Sequence, residues 1–157
     1  MFDPIFCDLE IQLLKEEFGI EVPSVNTEGV LEVDSFSLLY FPHCPKQLTN
    51  NFLWSNWRPG SLSKCFIVAN SFDRLVSSLP DRILLKEAGY IKKVAKITEE
   101  TPLENCYKFE DIFNDLSLHS FHEALSLPEK DSFWDKPNSK PEYSSHDIEY
   151  IAKSIIP

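Results

Sequence analysis

Two short apolar runs constrain this chain most. Residues 36–41 read Phe-Ser-Leu-Leu-Tyr-Phe and break at Pro42-His43-Cys44-Pro45. Residues 65–69 read Cys-Phe-Ile-Val-Ala and end in Asn70-Ser71-Phe72. Both are nearly continuous, strand-sized and closed by turn residues, which suits strands buried on both faces of a parallel sheet better than alternating, half-exposed ones. Polar residues cluster just past their carboxyl ends, where an open α/β sheet places its ligands.

Three blocks around these runs carry a resemblance: Phe41-Pro42-His43-Cys44, then Asn50-Asn51-x-Leu53-Trp54-x-Asn56-Trp57, then Ala69-Asn70-Ser71-Phe72. Asp3-Pro4 and Phe113-Asn114-Asp115-x-Ser117-x-His119-x-Phe121 agree with it. Together they resemble the sensitivity-to-red-light-reduced domain family over roughly residues 2 to 122. The resemblance implies a regulatory, non-catalytic protein. The implied setting is plant light signalling and clock output, and, for animal relatives, heme biosynthesis and clock-gene expression. It also implies an α/β, Rossmann-like three-layer sandwich with a mainly parallel sheet. The family carries a βα unit ahead of Asp-Pro, so the resemblance implies an N-terminally truncated copy, and Pro45 stands where the family commonly has Gly.

Size, charge and composition narrow the classes. A chain of 157 residues, 43% apolar, is one domain long and can bury a core. A formal net charge of −10 disfavours direct nucleic-acid binding, which needs clustered Lys and Arg. The four cysteines, at 7, 44, 65 and 106, form no CxxC and read as free or buried thiols of a reducing compartment. With no signal-peptide pattern and no run near the ~20 residues of a membrane span, the expectation is an intracellular protein off the membrane, in the cytoplasm and nucleus.

In chain order, a helix is expected over residues 4–18, stopped by Gly19, with Pro4 in its first turn. Asp3 reads either as its cap or as an acid at a strand end that holds a ribose hydroxyl. The next helix spans residues 45–57. Asn50, Asn51 and Asn56 are expensive inside it, so each serves a buried backbone group or faces a ligand. Asn70 or Ser71 caps a further helix through Leu79. Residues 80–88 form a short helix. Residues 90–97 fit a helix by spacing and a strand by β-branching, and the resemblance favours the strand. Glu99-Glu100-Thr101-Pro102 reads as a turn, and residues 117–121 as a late strand whose alternation parts His119 from His122, so no metal site is expected there. The domain is drawn as residues 1–127. Residues 128–157 read as a linker-like tail with a terminal amphipathic helix over 144–155.

Only four glycines occur, and neither GxGxxG nor GxxxxGK[ST] is present. No catalytic constellation is recognised, so no catalytic or metal-ligating residue is expected. The ligand-facing candidates are Asp3, His43, Cys44, Asn51, Asn56, Asn70, Ser71, Asn114 and Asp115. Two ligands come into question. An adenine-containing ligand such as a nucleotide or S-adenosylmethionine would make the chain a Rossmann-like enzyme or the inactive descendant of one. Heme would engage the Cys44-Pro45 dipeptide, although Pro45 has its own reason as the first residue of a helix. Partners are expected to be proteins.

Overall fold

The computed structural model describes residues 1–3, 5–109 and 111–143. The helix expected over 144–155 lies outside them. Two compact units divide the chain: one holds residues 1–28, and the other begins at Gly29.

The first unit carries helix α1, Asp8–Glu16, which starts later than its spacing predicts. Asp3 folds back instead, its carboxylate accepting the Ile5 N–H at 3.0 Å. The start is then fixed at Cys7, whose N–H donates to the Glu10 carboxylate at 2.8 Å. Gly19, at φ 62°, lets the Ile20 N–H return to the Leu14 carbonyl at 2.9 Å. No residue of α1 is buried.

The second unit is built on a four-stranded sheet of order β1-β2-β4-β3. The two apolar runs form β1, Ser37–Phe41, and β2, Cys65–Asn70, which pair in parallel through the crossover helices α2, Lys46–Ser55, and α3, Pro59–Leu62. Next come α4 (Phe72–Ser78), α5 (Asp81–Glu87) and α6 (Gly89–Val94), then β3 (Glu99–Pro102) and β4 (Leu116–Ser120). β4 lies antiparallel to both β2 and β3. The mainly parallel sheet is therefore corrected: one neighbour pair is parallel and two are antiparallel. Residues 103–115 join the carboxyl end of β3 to the amino end of β4, a hairpin connection, so β4 returns without a crossover.

Two further expectations change. Residues 99–102 are a strand, not a turn; its Pro102 is tolerated because β3 is an edge. Residues 90–97 are helical, as α6 followed by a 3₁₀ turn at Ala95–Ile97. The Asn50 side-chain oxygen fixes that start, accepting the N–H groups of Tyr90 at 2.8 Å and Ile91 at 3.4 Å.

The sheet is buried on one face. Ile67, Ala69 and Cys65 join Phe52, Leu53, Phe72, Leu84, Ile91 and Val94 in one core, with Leu39 and Phe41 against it. On the other face Leu38 and Tyr40 are exposed, and Leu38, Phe66, Val68, Leu103 and Leu118 line an open apolar recess. β1 is thus an edge strand, not the inner strand buried on both faces that its apolar run suggests. The run read as linker-like carries Trp134 into the core and packs Phe133 against it: Trp57 stacks on Phe133 at 5.1 Å and meets Trp134 edge-on at 5.6 Å.

Candidate functional site at the strand ends

Because β1 and β2 are parallel neighbours, the turns that follow them open on the same sheet end. His43, Cys44, Pro45, Lys46, Asn70 and Leu75 line a cavity of about 400 Å³ there, within the range of small-ligand sites. β4 begins at this end too, and the Ser71 N–H donates to the Asp115 carbonyl at 2.8 Å.

The backbone here is strained. His43 at φ 50° and Asp115 at φ 60° occupy the left-handed region, which disfavours a residue with a Cβ. Such conformations cost about 1–3 kcal/mol each and persist where their surroundings enforce them. His43 Nε2 lies 3.1 Å from the Ile112 carbonyl, tying the β1 turn to the loop before β4. Asp115 pairs with Arg74 of α4. Lys46 is held by Glu87 at 2.9 Å. The Asn70 side-chain oxygen is buried with no hydrogen-bond partner among the described residues. An unpaired buried acceptor is uncommon and calls for a reason.

The sequence candidates separate into groups. His43, Cys44 and Asn70 share the cavity. Ser71 caps α4, accepting the Arg74 N–H at 3.1 Å. Asn114 and Asp115 belong to the adjoining loop, the Asn114 N–H donating to the Asp111 carbonyl at 3.3 Å. Asn51 and Asn56 are both fully buried in and beside α2 and do not line the cavity. Asn56 accepts the Val33 N–H at 2.8 Å and donates to the Leu31 carbonyl at 2.7 Å. Asn51 accepts from the Tyr143 hydroxyl at 3.0 Å. Asp3 belongs to the other unit.

One pair escaped the sequence reading. His119 of β4 is fully buried and stacks on Phe72 with ring centres 3.8 Å apart. Its Nδ1 lies 3.0 Å from the Ile67 carbonyl and must donate to it. Its Nε2 faces the Glu100 carboxylate at 3.5 Å. Burial lowers the His119 pKa, against the pull of Ile67 and Glu100. Burial raises that of Glu100, but hydrogen bonds from Ser71, the Asp73 N–H and Ser117, with the charge of His119, hold it below its ordinary value. Glu100 thus ties β3 to the start of α4, beside the cavity. Only the reading of residues 99–102 as a strand would have put its side chain inside.

All four cysteines are free thiols, and burial pushes Cys65 up to about 11. Among the described residues no group of three or more His, Cys, Asp or Glu is placed to hold a metal ion. No helix among them is long and apolar enough to cross a membrane.

This is an α/β domain with a polar cavity at the strand ends, and comparison with known proteins identifies its family. Residues 1–120 match the SRR1 domain, and the chain belongs to that family. It is 37% identical over 134 residues to an SRR1-like protein of Drosophila melanogaster, covering 85% of this chain and 46% of the relative. An SRR1-like protein of Mus musculus is 41% identical over 96 residues, 60% of this chain and 38% of the relative. Protein SENSITIVITY TO RED LIGHT REDUCED 1 of Arabidopsis thaliana is 30% identical over 127 residues, 80% of this chain and 46% of the relative. The chain thus spans less than half the length of these relatives. No solved structure matches it.

Proposed function

We propose that this chain is a regulatory protein without catalysis, working through protein partners in clock-gene expression and in the control of heme biosynthesis, in the cytoplasm and nucleus. Its membership of the SRR1 family carries this reading, and the Arabidopsis relative's name ties that protein to the response to red light. The test is to disrupt the gene in its own organism and follow rhythmic transcripts and total heme through several cycles. The reading expects shifted or damped rhythms and altered heme, both restored by the wild-type gene. Unchanged rhythms and unchanged heme would sink it.

A second reading, a Rossmann-like fold that binds an adenine-containing ligand, is favoured by one observation: the Asn70 oxygen, buried with no hydrogen-bond partner among the described residues, belongs to a cavity that the left-handed His43 also lines. Mass spectrometry of small molecules retained by natively purified protein discriminates the two. A stoichiometric adenine metabolite supports the second reading, and an empty protein the first. Heme is tested separately by titrating hemin into wild type and Cys44→Ala. An unchanged Soret band in the variant removes Cys44 as a ligand.

A further inference from the structure

The SRR1 match ends at residue 120, yet the signature helix α2 is gripped by a segment beyond it. No helix or strand runs through residues 135–143. Their ties to α2 each use a side chain. The Trp54 indole N–H donates to the Pro137 carbonyl at 3.1 Å. The Lys136 ammonium donates to the Trp54 carbonyl at 2.7 Å and lies 4.9 Å above the Trp54 ring. Seven residues on, the Tyr143 hydroxyl accepts from Asn50 at 2.9 Å and donates to Asn51 at 3.0 Å.

This is the architecture of peptide recognition. A proline-containing segment, Pro137 to Pro141, runs with a bend at Asn138-Ser139 between Trp54 and the Asn50 and Asn51 amides. Prolines limit the freedom lost on docking, the indole face takes the cation and the amides read the hydroxyl. Asn50 and Asn51 are 2% and 0% exposed, so without the tyrosine their groups at this end would lose a buried partner. Trp54 is only partly buried and Lys136 is exposed, so their contact lies at the surface, outside the core that holds Trp134 with Phe133 packed against it.

We infer that residues 135–143 are a releasable intramolecular ligand of a groove formed by Trp54, Asn50 and Asn51. The same groove accepts a Lys-Pro step followed by a tyrosine from another polypeptide. Tethering presents the segment at an effective concentration on the order of millimolar, so a partner must compete with it.

The test uses the full chain and a fluorescent peptide of residues 131–143. The side-chain amide protons of Asn50, which donate to the Tyr143 hydroxyl, should exchange with solvent far more often than the backbone N–H groups of β2 and β4. The peptide should bind the Lys136→Ala/Tyr143→Ala chain at least about tenfold more tightly than wild type, because the competing segment is weakened. Trp54→Phe, which keeps a ring but loses the N–H, should weaken peptide binding to that chain again. Protection of the Asn50 side-chain amide equal to that of the β2 backbone would overturn the proposal, as would equal affinity for both chains. If the double variant fails to fold while Tyr143→Phe loses as much stability as a core truncation, the segment is part of the core and the proposal is wrong.

Discussion

Replacing Asn56 by alanine separates a structural role from a ligand role most sharply. Asn56 is fully buried. Its oxygen accepts the Val33 N–H at 2.8 Å, and its amide donates to Leu31 and Phe52 carbonyls at 2.7 and 3.0 Å. Alanine leaves the Leu31 carbonyl with the Ser55 hydroxyl at 3.1 Å, so that acceptor stays satisfied. The Val33 N–H has no such substitute, and Val33 is 5% exposed. A buried donor left unpaired costs about 1–3 kcal/mol, and the lost amide bonds add to it. The expected loss is about 2–4 kcal/mol. For a chain of this size that is a fall in Tm of roughly 4–16 °C, at about 2–4 °C per kcal/mol. Urea unfolding should show a lower midpoint with an unchanged slope. Asn56→Asp should lose at least as much, since it keeps an acceptor for Val33 but turns negative oxygen toward two carbonyls. A loss below about 0.5 kcal/mol would refute the reasoning and return Asn56 to the list of ligand contacts.

Three more outcomes are expected. Gly29→Ala should destabilise strongly: Gly29 sits at φ 81°, and an added Cβ would lie 2.4 Å from the Leu48 carbonyl oxygen, so thermal unfolding should drop well beyond that of Gly60→Ala, where nothing lies within 4 Å. Stability should fall on acidification. His119 is held below its ordinary 6.5 and Glu100 below its ordinary 4.5, so the unfolded chain takes up protons first at each group; with Asp73 the other acid acting on His119, urea midpoints should decline below about pH 6.5 and again below about pH 4.5, and His119→Gln should flatten the first decline. Cys65, with its thiol pushed up to about 11, should alkylate far more slowly at pH 8 than the exposed Cys7 and Cys106, and comparable rates by mass spectrometry would contradict its burial.

The sequence made two of the four strands legible because apolar runs closed by turn residues have few other uses, but it set β1 at the sheet's centre, where β4 stands instead. The parallel pairing of β1 and β2 followed, and with it the meeting of His43, Cys44 and Asn70. β3 was hidden because an edge strand needs little apolar content: in Glu-Glu-Thr-Pro only Glu100 turns inward, and its partners lie in α4 and β4. The direction of β4 depends on the loop over residues 103–115, which leaves no mark on β4's own composition. The amides of α2 showed by type that they were costly, but not whom they serve. Asn56 answers to Val33, and Asn51 to Tyr143, 92 residues away. Chemistry fixed by such distant partners is settled by the fold alone.

The central claim is the regulatory role proposed from family membership, and the strand-end cavity is the surface we propose for it. Complementation of cells lacking the gene tests it most directly, using His43→Ala/Asn70→Ala. Both side chains line the cavity, and neither belongs to the central apolar core. Rhythmic transcript amplitude is the readout, with abundance and urea midpoint of the variant measured alongside. The account predicts a folded variant at wild-type abundance that fails to restore the rhythm. Full restoration by that variant would contradict it.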